Sequence, residues 1–207
     1  SEYDTSRRVF GLRKDITCAV FEKVSFKFDG VTLLWGNNYE VMKAGSDAIK
    51  NPKDYTARAN MMWASSLSHN DLTHAGKSLQ LAVHQLEHEL SGMYPSIAHG
   101  AGLAALWASW ARFVYKANLN RFLQFAANVW NLDVNFENPE ETALKAIELQ
   151  ENFYKSIGMP ISLRELGVKE EDLEELAYNC SFKKGRALDC GIKIGYEEML
   201  EIYRMAY

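Results

Sequence analysis

Cysteine is scarce in this 207-residue chain, with Cys18, Cys180 and Cys190 the only three. So few, and an odd number, do not make the disulfide framework of a small secreted domain; they point to a reducing compartment such as the cytoplasm. An excess of one charge is also lacking. Lys plus Arg number 23 against 27 Asp plus Glu, a net charge of −4. The chain as a whole therefore exerts no electrostatic pull on nucleic acid or an anionic membrane. Long apolar runs are missing as well. The longest, Ala101 to Ala111, stops at Arg112, short of the ~20 residues a membrane span requires. The opening Ser1-Glu2-Tyr3-Asp4, followed by Arg7, Arg8, Arg13 and Lys14, has no apolar segment of a secretory signal. The expectation is a soluble, cytoplasmic protein with no nucleic-acid and no membrane partner.

What the chain does have is helical periodicity. Apolar residues make up 47% and charged residues 24%, enough for one sizeable core. They recur at a 3.6-residue spacing, and strand-like alternation is rare. Helices are expected over 39–50, 55–74, 78–94, 140–157, 169–179 and 189–206, with one or two strongly apolar ones between 100 and 130. Gly158-Met159-Pro160 is a helix stop. Only 26–35 suggests a hairpin, around Asp29-Gly30. The predicted fold class is all-α, a helical bundle forming a single domain over 1–207 with an atypical start over 1–36. Gly100-Ala101-Gly102-Leu103-Ala104-Ala105 fits G-x-G-x-x-A, but no strand precedes it. Close helix packing, not a nucleotide loop, is the reading.

Three of the five histidines fall within sixteen residues: His84, His88 and His99. His84 and His88, at i and i+4 of a predicted helix, project about 40° apart. The stripe Leu79, Val83, Leu86, Leu90 and Met93 centres nearly opposite, so the pair is expected to be solvated or to line a cleft. His99 follows the Pro95 turn and stands at a helix start. The positive end of that helix disfavours imidazolium and keeps the ring in its metal-binding form. Spacing alone leaves two readings open, a ligand set or surface histidines. His84-Gln85-Leu86-Glu87-His88 also fits H-x-x-E-H, in which two histidines bind zinc and the glutamate acts as general base. His69 is expected to hydrogen-bond within helix packing and His74 to be a surface residue. Trp107 and Trp110 read as core or interface anchors, and Lys169 to Glu175 as a solvated face.

Longer motifs surround these histidines. They run Asn51-Pro52, Tyr55-x-x-Arg58-Ala59-Asn60-Met61-Met62-Trp63-Ala64, His84-x-x-x-His88-Glu89-Leu90-Ser91-Gly92-Met93-Tyr94 and Ala98-His99-Gly100-Ala101-Gly102-Leu103-Ala104. Further on come Asn120-Arg121-Phe122, Phe125-Ala126, Val129-Trp130 and Gly158-Met159-Pro160-x-x-Leu163-x-x-Leu166-Gly167. Over 37–207 the chain resembles the iron-containing alcohol dehydrogenase family, in particular its butanol dehydrogenase-like branch. The resemblance implies the helical, metal-binding C-terminal domain of a two-domain enzyme. The other domain binds NAD(P), and the active site lies in the cleft between the two. It also implies Fe(II) or Zn(II) on one aspartate and three histidines, with His84 and His99 matching two of the ligands. His88 matches a further active-site histidine on the substrate side or in a proton relay.

Asp15-Ile16-Thr17-Cys18-Ala19-Val20-Phe21-Glu22-Lys23 corresponds to the family's other ligand helix. Asp15 matches its aspartate, whereas Ala19 stands where the family has histidine. Asp15, His84 and His99 would then form a two-histidine, one-carboxylate set suited to Fe(II). No nucleotide-binding domain precedes residue 15 and no glycine-rich phosphate loop occurs. NAD(P) is thus expected only with a nucleotide-binding domain supplied by another chain, and the chain alone is expected to have little dehydrogenase activity. Apolar surface bared at the missing interface would favour a homo-oligomer.

Overall fold

The computed structural model describes residues 39–69 and 81–207. Eight α-helices occur among them: α1 (Tyr39–Lys50), α2 (Tyr55–His69), α3 (Ala82–Met93), α4 (His99–Val114), α5 (Leu119–Trp130), α6 (Pro139–Ser156), α7 (Leu173–Cys180) and α8 (Tyr196–Ala206). The all-α expectation holds. The helix bounds follow local chemistry. Pro139 opens α6, where its missing N–H would have no intrahelical partner, with Glu140 and Glu141 in the first turn and Lys155 in the last. Behind it Gly158 takes a φ of 72° and ends the helix as its sequence predicted.

Helix α4 is apolar nearly all round, and such a helix belongs inside. It packs against α3, α6 and α8, burying Leu103, Leu106, Trp107, Trp110 and Val114. Trp107 meets Phe125 of α5 and Tyr154 of α6, with ring centres 5.6 and 6.3 Å away. Both tryptophans are therefore core residues. Helices α1 and α2 pair with each other, as do α5 with α6 and α7 with α8. No helix among the described residues is long and apolar enough to cross a membrane.

The segment 189–206 is not one helix. Leu188–Asp189 and Lys193–Ile194 form a two-stranded antiparallel hairpin, β1 and β2, and α8 starts after it. Gly191 takes a φ of 81° in the turn, a conformation that glycine adopts at little cost. Gly195 precedes α8, and its N–H donates to the Glu198 carboxylate at 2.8 Å. Just upstream, Phe182, Lys183 and Lys184 hold φ values of 49°, 58° and 67°, a left-handed turn that costs energy in side-chain-bearing residues. Stacking offsets the cost: Arg186 lies 3.8 Å from the Phe182 ring centre and Lys184 3.9 Å from that of Tyr196.

This C-terminal region holds the back of α3. The Tyr203 hydroxyl donates to the Leu86 carbonyl at 2.6 Å, and the Cys180 thiol to the Gln85 carbonyl at 3.4 Å. Arg186 bridges the Gln85 side chain at 3.0 Å and the Cys180 carbonyl at 2.6 Å. With Val83, Leu86 and Leu90 fully buried, the rotation of α3 about its own axis is set.

Candidate metal centre

That rotation turns His84 and His88 toward the start of α4. The chain reverses through Tyr94–Ala98, where Tyr94 N–H donates to Leu90 O at 2.8 Å and Ile97 N–H to Tyr94 O at 2.9 Å. The Ala98 carbonyl then accepts from Ala101 at 2.8 Å and Gly102 at 3.1 Å, which brings His99 in as the first residue of α4. The three rings meet. Their centres are 5.1 Å apart for His84 and His99, 5.5 Å for His88 and His99, and 6.1 Å for His84 and His88.

The environments of the pair on α3 differ. His88 is exposed, whereas His84 is 6% exposed, so of the two only His88 is solvated. A helical wheel treats α3 alone, and the arriving α4 with His99 closes over His84. Glu87 is also wholly buried. A buried carboxylate needs partners, and this one has two: the Ser91 hydroxyl donates to Oε1, and Oε2 is paired with His99 Nδ1. Donor atoms of Glu87, His88 and His99 lie within 4.8 Å of one another.

Among the described residues the donor atoms that converge are those of Glu87, His88 and His99, and His84 joins them by ring spacing alone. At a metal–nitrogen distance of about 2.1 Å, two imidazoles at a tetrahedral angle on one ion have centres about 5 Å apart. His84 and His99 stand at 5.1 Å. Imidazole nitrogens suit both Fe(II) and Zn(II). Asp15, Ala19 and the hairpin expected over 26–35 lie outside the described residues, as does His74.

Residues 39–207 match the model of the Fe-containing alcohol dehydrogenase family, C-terminal domain. The chain belongs to the iron-containing alcohol dehydrogenase family. The chain is 38% identical over 167 residues to NADH-dependent butanol dehydrogenase A of Clostridium acetobutylicum, covering 80% of the chain and 42% of that protein. It is 32% identical over 166 residues to the NADPH-dependent aldehyde reductase YqhD of Escherichia coli, covering 78% and 40%. The solved structure of an NADH-dependent butanol dehydrogenase A from Thermotoga maritima superposes with a TM-score of 0.83 at 31% identity, over 94% of this chain and 51% of that one. The chain thus spans less than half the length of these curated relatives.

Two residues of the histidine cluster escaped the sequence reading. Glu87 was read only as a general base, yet it sits one turn after Val83 on the apolar stripe. A charge on a buried stripe was the available signal for an internal partner. Gly102 was read as helix packing, which holds. What it packs against is the Glu87 side chain: a Cβ built on Gly102 would fall 2.7 Å from Glu87 Cγ and Oε1.

Proposed function

We propose that this chain supplies the metal-binding half of an NAD(P)-dependent alcohol or aldehyde oxidoreductase. The 5.1 Å spacing of His84 and His99 is the observation that carries the reading. His84 and His99 hold Fe(II) or Zn(II), and Asp15 contributes the carboxylate. Once bound there, the cation supplies Lewis acidity toward an alcohol or carbonyl oxygen. His88, one turn along α3 and exposed, carries a proton between the substrate side and solvent. The nicotinamide comes with a nucleotide-binding domain, because hydride transfer needs the donor held against the acceptor. The 207-residue chain alone is therefore inactive or nearly so.

The same reading has the domain associate, either with that nucleotide-binding domain or with a second copy. Helix α2 supports this, because it leaves Met62 63% and Trp63 59% exposed. A hydrolase built on His84-x-x-Glu87-His88 would need Glu87 open to water. Its burial and its two partners favour the dehydrogenase reading instead.

Elemental analysis of protein purified without added metal tests the site, comparing wild type with His84→Ala and Ala19→His. The expected result is stoichiometric metal in wild type, lost in the first variant and bound more tightly in the second. Equal metal in all three would overturn the site. Oxidation of NADH or NADPH with butyraldehyde by the isolated chain at ordinary enzyme rates would overturn the inactivity.

A further inference from the structure

Glu87 carries a full carboxylate into a site where nothing about the fold demands one. Both its oxygens are committed, one to Ser91 four residues along the same helix and the other to His99 Nδ1 on the next helix. Where Glu87 Oε2 is the acceptor of this contact, the ring hydrogen of His99 belongs on Nδ1 and the lone pair on Nε2. A second, independent feature marks the arrangement. Gly102, one turn into α4 from His99, has no side chain where Glu87 lies, and a Cβ there would meet Glu87 Cγ and Oε1 at 2.7 Å and Cδ at 3.1 Å. Contacts that short force the carboxylate to move.

We propose that Glu87 is the positioning residue of the cluster, fixing the His99 ring and its Nδ1–H tautomer so that Nε2 serves as the metal-binding nitrogen, and that Gly102 is the gap that admits it. The proposal rests on the metal-binding reading above. With its oxygens taken up by Ser91 and His99, Glu87 acts through His99 rather than as a ligand, although its donor atoms lie close to those of His88 and His99. The pairing removes from His99 the freedom to ligate through either nitrogen. Partners of this kind are worth about 10–100-fold in metal affinity.

The test uses the 207-residue chain and Zn(II), titrated in competition with a chromophoric chelator. It compares wild type with Glu87→Ala, Gly102→Ala, the double variant, and His99→Ala as control. Gly102→Ala retains the carboxylate and guards against a Glu87→Ala protein that fails to fold. Each single variant should lose about 10–100-fold in Zn(II) affinity. The double variant should bind no more weakly than Glu87→Ala, because the atoms that the added methyl group would strike are gone. Zn(II) affinity unchanged in Glu87→Ala while His99→Ala loses it, or losses that multiply in the double variant, would overturn the proposal.

A second readout needs no metal: the ring-nitrogen NMR shifts of His99 in the metal-free protein. Wild type should show the Nδ1–H tautomer, and Glu87→Ala should shift it toward Nε2–H. A wild type that binds no Zn(II) would sink the metal-binding reading, and the tautomer would then decide this one. Mixed tautomers in wild type, or the same tautomer without Glu87, would refute it.

Discussion

Replacing Gly191 by alanine has two consequences that can be separated. Its φ of 81° places an alanine in left-handed territory at a cost of about 1–2 kcal/mol. The new Cβ would also fall 2.6 Å from Asn118 Oδ1 and 2.9 Å from Nδ2, driving that side chain away. Asn118 Nδ2 donates to the Val114 carbonyl at 3.1 Å and the Cys190 carbonyl at 2.6 Å, joining the α4–α5 corner to the hairpin. Two such bonds at about 0.5–1.5 kcal/mol each amount to about 1–3 kcal/mol. Gly191→Ala should therefore lose about 2–5 kcal/mol in all, and in an Asn118→Ala background only the backbone part should remain. Urea unfolding of the four proteins, with slopes checked for constancy, measures the cycle. Costs that add to within about 0.5 kcal/mol would show that Asn118 and Gly191 do not meet, and the reasoning would fail.

Three further outcomes are expected. Tyr203→Phe removes the buried hydroxyl that holds the Leu86 carbonyl at 2.6 Å and should cost about 0.5–1.5 kcal/mol, read from thermal unfolding. Trp107→Ala, emptying the contact with Phe125 and Tyr154, should cost about 3–5 kcal/mol by the same measurement. Burial pushes the Cys180 thiol up from its usual 9.0 to about 11, and burial likewise holds the Tyr203 phenol well above its ordinary 10.0. Both groups stay protonated in the fold at pH values where the unfolded chain has released the proton. The Cys180 contribution is thus complete below pH 9.0 and fades as pH rises toward 11, while that of Tyr203 begins to fade only above its ordinary 10.0. Cys180→Ala should flatten that alkaline decline, and an unchanged slope of stability against pH would contradict the burial argument.

Helix boundaries were legible where local chemistry sets them. Tyr39–Lys50 matches the expectation residue for residue, and Pro139 and Gly158 bracket α6 because each acts through its own backbone. The hairpin at 188–194 was not legible. Its strands have two residues each, too few for alternation to register, and Gly191 and Gly195 alone marked the break. The histidine cluster divides along the same line. That His84, His88 and His99 share a region follows from spacing and from the motifs around them. The burial of His84 and the pairing of Glu87 depend on a second helix crossing the first, and a wheel drawn for α3 alone contains no such information. The placing of α3 rests in turn on Tyr203, more than a hundred residues away.

The turn between α3 and α4 gives the histidine cluster a kinetic character of its own. His84 and His99 are only fifteen positions apart, so closing the loop between them costs little chain entropy compared with joining donors from opposite ends of a protein. A cation would find both imidazoles within reach before the C-terminal helices have docked, and early capture could template the α3–α4 reversal. Refolding with Zn(II) present should then be faster from the first phase onward, with the docking of α8 following as a separate, metal-independent event.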